Sequence, residues 1–184
     1  MRPVSKRARD SALALALVLA ATSARAAIRQ FSYDPADAET RAAAGPVTLV
    51  INQTMFGTRV LKLRSTLAKA TADLARADIG ALGRDAWSRA VGAKAPERDL
   101  YRILPGDDGA AFIAALCPGS KRGWLALTSV RYGDDVQAVV IGDDPAGGPA
   151  RRCRALNFTF HGEWRAPSQR QIEIDPVAPP DFPN

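Results

Sequence analysis

The segment LNFTFHGEWR, residues 156–165, decides the fold because its first six side chains alternate between apolar and polar. Leu156, Phe158 and Phe160 have one parity, and Asn157, Thr159 and His161 have the other. Successive side chains of a β-strand point to opposite faces, so this period of two predicts a strand with one buried face. We expect Gly162 to break or bulge the strand, and Trp164 to close one end of the core.

Two strand-like runs precede this segment, at residues 123–130 and 136–142, and RYGDD between them is a tight-turn sequence. With residues 153–161 they predict an antiparallel meander of three strands. Nearer the N-terminus, residues 47–53 and 58–65 predict a hairpin.

Residues 66–98 have a different pattern. Leu67, Ala70 and Leu74 recur at helical spacing and glycines interrupt the run, which predicts two short helices. Strands and helices that do not alternate regularly are typical of α+β proteins. We therefore predict a single α+β domain with a mainly antiparallel sheet. That sheet combines the N-terminal hairpin with the C-terminal three-stranded meander, and several short helices pack on it.

The tip of the predicted hairpin carries two large apolar residues, Met55 and Phe56. Loop tips are normally polar, so these side chains either fold back onto the core or mark a contact surface. Scattered apolar residues are common on protein surfaces, and we favour folding back.

The first 26 residues have the three parts of a secretory signal peptide. A basic start precedes the apolar run at residues 11–21, and Ala24 and Ala26 provide the small residues of a cleavage site. The apolar run is too short to span a bilayer, which needs about 20 residues. We predict a signal peptide at residues 1–26, one domain at 27–175 and a proline-rich tail at 176–184. The protein is then periplasmic or secreted, with no membrane span in the mature chain.

The net charge of the mature chain argues against nucleic-acid binding. The full sequence has 25 Lys and Arg against 19 Asp and Glu, a net charge of +6. Residues 1–26 hold five of the basic groups and one of the acidic groups, so the remainder has 20 against 18, a net +2. A generally basic surface, of the kind typical of nucleic-acid-binding proteins, is therefore not predicted.

The two cysteines, Cys117 and Cys153, are predicted to form a disulfide because an exported protein encounters an oxidising environment. Two cysteines and one histidine fall short of a four-coordinate zinc site, and we predict neither a metal nor a cofactor. If the last strand is regular, Cys153 lies on the same face as His161. The helix that carries Cys117 must then cover that face, or a bulge must intervene near Ala155.

Basic residues surround both cysteines, and the disulfide would draw them together into one cationic patch. We call this set the cysteine patch; its members are Lys121, Arg122, Arg151, Arg152 and Arg154. The planar guanidinium group matches phosphate and carboxylate through two parallel hydrogen bonds. The cysteine patch is therefore a candidate site for an anionic envelope component or an acidic partner protein. The alternative is an ordinary solvated surface, offset by nearby acidic residues.

Catalytic motifs do not assemble in the sequence. It contains no Gly-x-Ser-x-Gly elbow, no phosphate-binding loop and no dinucleotide fingerprint. His161 and Glu163 are the candidate catalytic residues, as a general base and a general acid respectively. We predict an exported, non-catalytic binding or accessory module of a bacterial-type cell envelope. The alternative is a small secreted hydrolase that acts on cell-wall material.

Overall fold

A computed structural model describes residues 27–55, 57–82, 84–92 and 96–164 of the chain. The predicted signal peptide, the tail and residues 165–175 lie outside these ranges. The described residues form a closed antiparallel barrel in which each strand pairs with the next and the last pairs with the first. The strands are β1 (Ala27–Pro35), β2 (Val47–Thr54), β3 (Gly57–Ser65), β4 (Ala70–Arg76), β5 (Arg98–Ile103), β6 (Gly123–Thr128), β7 (Val136–Gly142) and β8 (Arg151–Trp164).

Three short helices connect strands of the barrel. They are α1 (Ala38–Ala43), α2 (Arg84–Val91) and α3 (Asp107–Leu116), and a 3₁₀ turn at Ile79–Leu82 precedes α2. Asp37 caps α1, since its side chain accepts a hydrogen bond from the Thr40 N–H at 2.7 Å. The Asp37 carboxylate accepts hydrogen bonds from this N–H and from the Asn157 side-chain amide, and these bonds hold the pKa of Asp37 below its usual value.

The α+β prediction is wrong. The expected hairpin and meander are both present, as β2–β3 and β6–β8, but they belong to one closed sheet. Closure depends on pairing between β1 and β8, where Tyr33 lies opposite Phe160. A local pattern identifies each strand by itself, but it carries no information on pairing between residues so far apart in the chain.

Strand β4 was predicted as helix. Its side chains are buried at Ala70, Ala72 and Leu74 and more exposed at the positions between, which is the period of a strand. The helical spacing that starts at Leu67 depends on alanines, and these small residues also fit a strand. Helix α3 packs beside β4, so alanines leave room for it.

The barrel is filled by side chains, and helix α3 covers one end. Phe112, Ile113 and Leu116 of this helix join the same buried cluster as the inward-facing residues of the strands. We call this the closed end of the barrel. Strand β1 begins and β8 finishes at the opposite end, which we call the open end.

A second apolar cluster lies on the outer face of β5–β7. Leu100, Trp124 and Ile141 pack there against Ala86 and Ala90 of α2. Helix α2 therefore shields this part of the outer face from solvent. Because β6 and β7 are covered on both faces, they are apolar at nearly every position.

The predicted disulfide is confirmed: Cys117, directly after α3, is bonded to Cys153 of β8. Of the two alternatives for this strand, the structure has the bulge, which lies two residues before Ala155. Val140 lies opposite Arg154 and Ile141 opposite Arg152, so Cys153 is the extra residue. This bulge brings Cys153 toward the interior cluster.

The hydroxyl of Tyr33 is buried without a hydrogen-bond partner in the described part of the chain. Burial raises the pKa of this hydroxyl well above its usual value of 10.0, and the negative charges of Asp134 and Asp135 add to the rise. A raised folded-state pKa stabilises the fold below the unfolded-state value, and this contribution is lost as pH rises above about 10.

We predict that Tyr33→Phe is at least as stable as the wild type at pH 7, because no hydrogen bond is lost. Between pH 10 and 12 the wild type should lose about 1.4 kcal/mol of stability per pH unit more than the variant, the contribution of one titrating group. Urea unfolding across this range measures both quantities. Parallel stability profiles for the two proteins would contradict the assignment.

Candidate binding site at the open end

Polar side chains face inward at the open end, where the register of the strands places them above the apolar core. We call this set the polar collar; its members are Arg29, Gln53, Thr58, Arg76, Asp99 and Glu163. Residues directly opposite in an antiparallel pair share a face. Arg29 lies opposite buried Ile51, Asp99 opposite Leu127, Arg76 opposite Tyr101, Glu163 opposite Phe31, and Gln53 opposite Thr58.

One side of the polar collar is an ion pair between β1 and β8. The Arg29 guanidinium donates to both Glu163 carboxylate oxygens, at 2.7 and 2.6 Å, and to Gln53 Oε1 at 2.5 Å. It also lies 5.0 Å from the Phe31 ring centroid and 5.5 Å from that of Tyr132. The hydrogen bond to Glu163 raises the pKa of Arg29. This pair is saturated and partly buried, so its primary effect is to fix the rim of the barrel.

The other side of the polar collar is more exposed. Arg76 Nη2 lies 2.5 Å from Asp99 Oδ1, and both side chains are open to solvent. Tyr101 lies just below this pair with 2% of its surface exposed. Its hydroxyl oxygen accepts the Val60 N–H at 3.3 Å, and no acceptor for its own proton is found among the described residues.

The barrel wall is incompletely paired beside Tyr101. Strand β3 pairs with β4 only from Lys62 to Ser65, so the part of β3 nearer the open end has no partner strand on that side among the described residues. The shift in register between β2 and β3 makes Leu61 an extra residue at the point where pairing with β4 ends. The Val60 N–H therefore bonds the tyrosine side chain instead of a neighbouring strand.

A cleft of about 360 Å³ opens at this gap. We call it the rim cleft. It is lined by Gly57, Thr58, Arg76, Glu97, Arg98, Asp99, Tyr101, Ser129, Val130 and Arg131. Three arginines against two carboxylates give this lining an excess of positive charge.

Burial is the main perturbation of the titratable groups in the rim cleft. It raises the pKa of Tyr101, although the positive charges of Arg76 and Arg59 favour the ionised form. Burial also lowers the pKa of Arg98, and the charge of Arg152 adds to this effect. Arg98 donates to the Gln137 carbonyl and side chain at 3.0 and 2.9 Å, whereas its Nε is buried and has no partner in the described part of the chain.

The two candidate catalytic residues point in different directions. Glu163 faces inward, is held by Arg29, and has a side chain only 10% exposed. His161 is exposed, and its Nδ1 lies 2.7 Å from Asp34 Oδ2. Strand β8 has a second bulge between the Ser32 and Tyr33 pairings, where His161 is the extra residue. This bulge separates the His161 side chain from that of Glu163. Neither residue lines the rim cleft.

The cysteine patch is only partly assembled at the closed end. Arg122 pairs with Asp143 at 3.3 Å, and Asp143 also accepts the backbone N–H groups of Lys121 and Arg122, which lowers its pKa. Arg151 donates to the Pro118 carbonyl at 3.0 Å. Arg152 and Arg154 take opposite faces of β8, since they lie opposite Ile141 and Val140.

The apolar residues at the open end also differ from expectation. Met55 does not fold back, because 80% of its surface is exposed, and Phe56 lies outside the described residues. Trp164 does not close the core and is 64% exposed. Both residues stand at the rim of the barrel.

Sequence reasoning missed the rim cleft because its residues come from separate elements. Arg76 lies in the segment predicted as two short helices, and Arg98 and Asp99 lie at its C-terminal end. The sequence signal that could have indicated the site is the run RDLYRI, residues 98–103. In a strand, Asp99 and Tyr101 have the same parity as buried Ile103, which places them on the inner face.

The described part of the chain holds no cluster of three or more His, Cys, Asp or Glu side chains arranged to bind a metal. Nor does any helix there have both the length and the apolar character that crossing a bilayer requires. Comparisons of the chain with protein-family models, with curated proteins and with solved structures found no significant match.

Proposed function

We propose that the protein is an exported, non-catalytic binding module of the cell envelope, periplasmic or secreted, that binds a small anionic molecule in the rim cleft. The disulfide is compatible with export, because such bonds persist in oxidising compartments. The single observation that carries the proposal is the unused hydrogen-bonding capacity of Tyr101, beside the cationic lining of the rim cleft.

A carboxylate or phosphate suits this lining. The Tyr101 hydroxyl can donate its proton to an anionic oxygen, and the guanidinium group of Arg131 or Arg76 can donate two parallel hydrogen bonds. Such charge-assisted hydrogen bonds contribute about 1.5–3 kcal/mol each. The combination of a hydroxyl donor and guanidinium donors makes the rim cleft a better anion site than the cysteine patch, where Asp143 already pairs with the Arg122 guanidinium.

The experiment is a titration of the mature protein with inorganic phosphate and with succinate, followed by amide NMR and calorimetry. The Val60 amide is the reporter, because its N–H bonds the Tyr101 hydroxyl. We expect its resonance to shift, and we expect Arg131→Ser to weaken binding at least tenfold, the loss of one charge-assisted hydrogen bond.

The cysteine patch provides the control. Lys121→Ser combined with Arg151→Ser removes two exposed basic side chains at the other end of the barrel and should leave the affinity unchanged. If the double variant abolishes binding while Arg131→Ser does not, the anion site lies at the cysteine patch and the rim cleft is excluded. Absence of binding to both probes by the wild type would overturn the proposed function.

A further inference from the structure

We propose that the natural ligand of the rim cleft is a single-chain anionic amphiphile, whose head group binds in the rim cleft and whose apolar chain crosses the rim between Met55 and Tyr132. This inference rests on the proposed anion site and adds the chemical class of the ligand. The open end carries exposed apolar surface at the two places where such a chain would leave the rim cleft.

The two places where the alkyl chain would leave the rim cleft are close in sequence to residues that line it. Gly57 lines the rim cleft, and Met55, two residues earlier in the β2–β3 turn, is 80% exposed. Arg131 lines it on the other side, and the next residue, Tyr132, is 62% exposed. An anion held by Arg131 is therefore bounded by apolar side chains on both loops.

The ring of Tyr132 is held in position despite its exposure. Its centroid lies 5.2 Å from that of Phe160 and 6.1 Å from that of Phe31, both edge-to-face, and the Arg29 guanidinium lies beneath it. A ring fixed in this way provides apolar contact area at low entropic cost. Ile28 and Trp164 extend the exposed apolar surface along β1 and β8.

The distribution of exposed apolar residues is asymmetric. Of the six large apolar side chains exposed in the described ranges, the closed end has only Leu67, in the β3–β4 turn. In the described ranges, buried apolar side chains of the strands and α3 occupy the interior of the barrel. The chain must then lie across the rim. A monomeric amphiphile fits better than a bilayer, because Tyr101 is recessed below the rim, beyond the reach of a head group in a flat surface.

The test is a chain-length series of n-alkyl carboxylates from butanoate to decanoate, measured by calorimetry below the concentration at which they form micelles. A fully buried methylene contributes about 0.8 kcal/mol, and a chain covered on one side contributes about half of that. We expect the dissociation constant to fall about twofold per methylene. The matched 1-alkanols should bind at least tenfold more weakly, because they lack the charge.

Two variants test the path of the chain. Met55→Ser and Tyr132→Ser should each reduce the gain per methylene, whereas Leu67→Ser, an exposed apolar residue at the closed end, should not. A dissociation constant independent of chain length, with phosphate and succinate still bound, would overturn this inference and leave the proposed function intact. Tight binding to anionic phospholipid vesicles that is insensitive to Arg131→Ser would also overturn it, since the rim would then be a membrane contact.

Discussion

Replacing Cys117 and Cys153 with serine is expected to lower the free energy of unfolding by about 3–4 kcal/mol. The two residues are 36 positions apart, and closing a loop of this length restricts the unfolded chain by about that amount in the entropy model. The disulfide also ties α3, which covers the closed end, to β8, which closes the ring of strands. Loss of the disulfide therefore removes the restriction on the unfolded chain and also weakens the packing at the closed end.

Chemical denaturation of the reduced and oxidised proteins measures this effect, with the double serine variant as the reference. For a protein of this size, each 1 kcal/mol shifts the melting temperature by about 2–4 °C, so we expect a fall of about 10 °C. Equal stability of the oxidised wild type and the double variant would show that the crosslink does not stabilise the barrel.

Replacing Gly109 with alanine should destabilise the protein by about 2–3 kcal/mol, although alanine is the better helix former. Gly109 lies in the first turns of α3, where an added Cβ would stand 2.2 Å from the Leu104 carbonyl oxygen. The contacted atom belongs to the backbone, so relief requires movement of the whole helix. Because α3 fills the closed end, that movement disturbs the packing of Phe112 and Ile113.

The matched control is Gly162→Ala in β8. A Cβ at that position meets nothing within 4 Å, and the backbone of Gly162 does not have a positive φ. We expect this variant to stay within about 0.5 kcal/mol of the wild type, because a substitution that meets no packed neighbour usually has a small effect. If urea unfolding shows Gly109→Ala to be as stable as the control, α3 does not pack as tightly against Leu104 as described.

The sequence predicts the parts of this protein better than their assembly. The strand at residues 153–161 was expected from its alternation, and β8 covers it and continues to Trp164. The helix expected to carry Cys117 and the disulfide also agree with the structure, in which Cys117 is the C-cap of α3. These features depend on periodicity, turn residues and cysteine number, all of which are local or compositional.

The rest depends on long-range pairing. Alanines made β4 resemble a helix, and only contact with α3 and β5 selects the strand. The rim cleft could not be predicted because Arg76, Asp99 and Arg131 converge only when the barrel closes. The cysteine patch was predicted from sequence proximity, but the bulge at Cys153 turns Arg152 and Arg154 to opposite faces.

The pairing of β1 with β8 also determines when this protein can fold. Strand β1 includes the first described residues and β8 the last, so the native hydrogen-bond ladder cannot be completed until Trp164 has been synthesised. Until then the nascent chain has two free sheet edges, which are sites for aggregation. Contacts of such long range also make folding slow. A ribosome-bound chain that stops before β8 should therefore remain sensitive to proteases, and protection should appear in one step after this strand emerges.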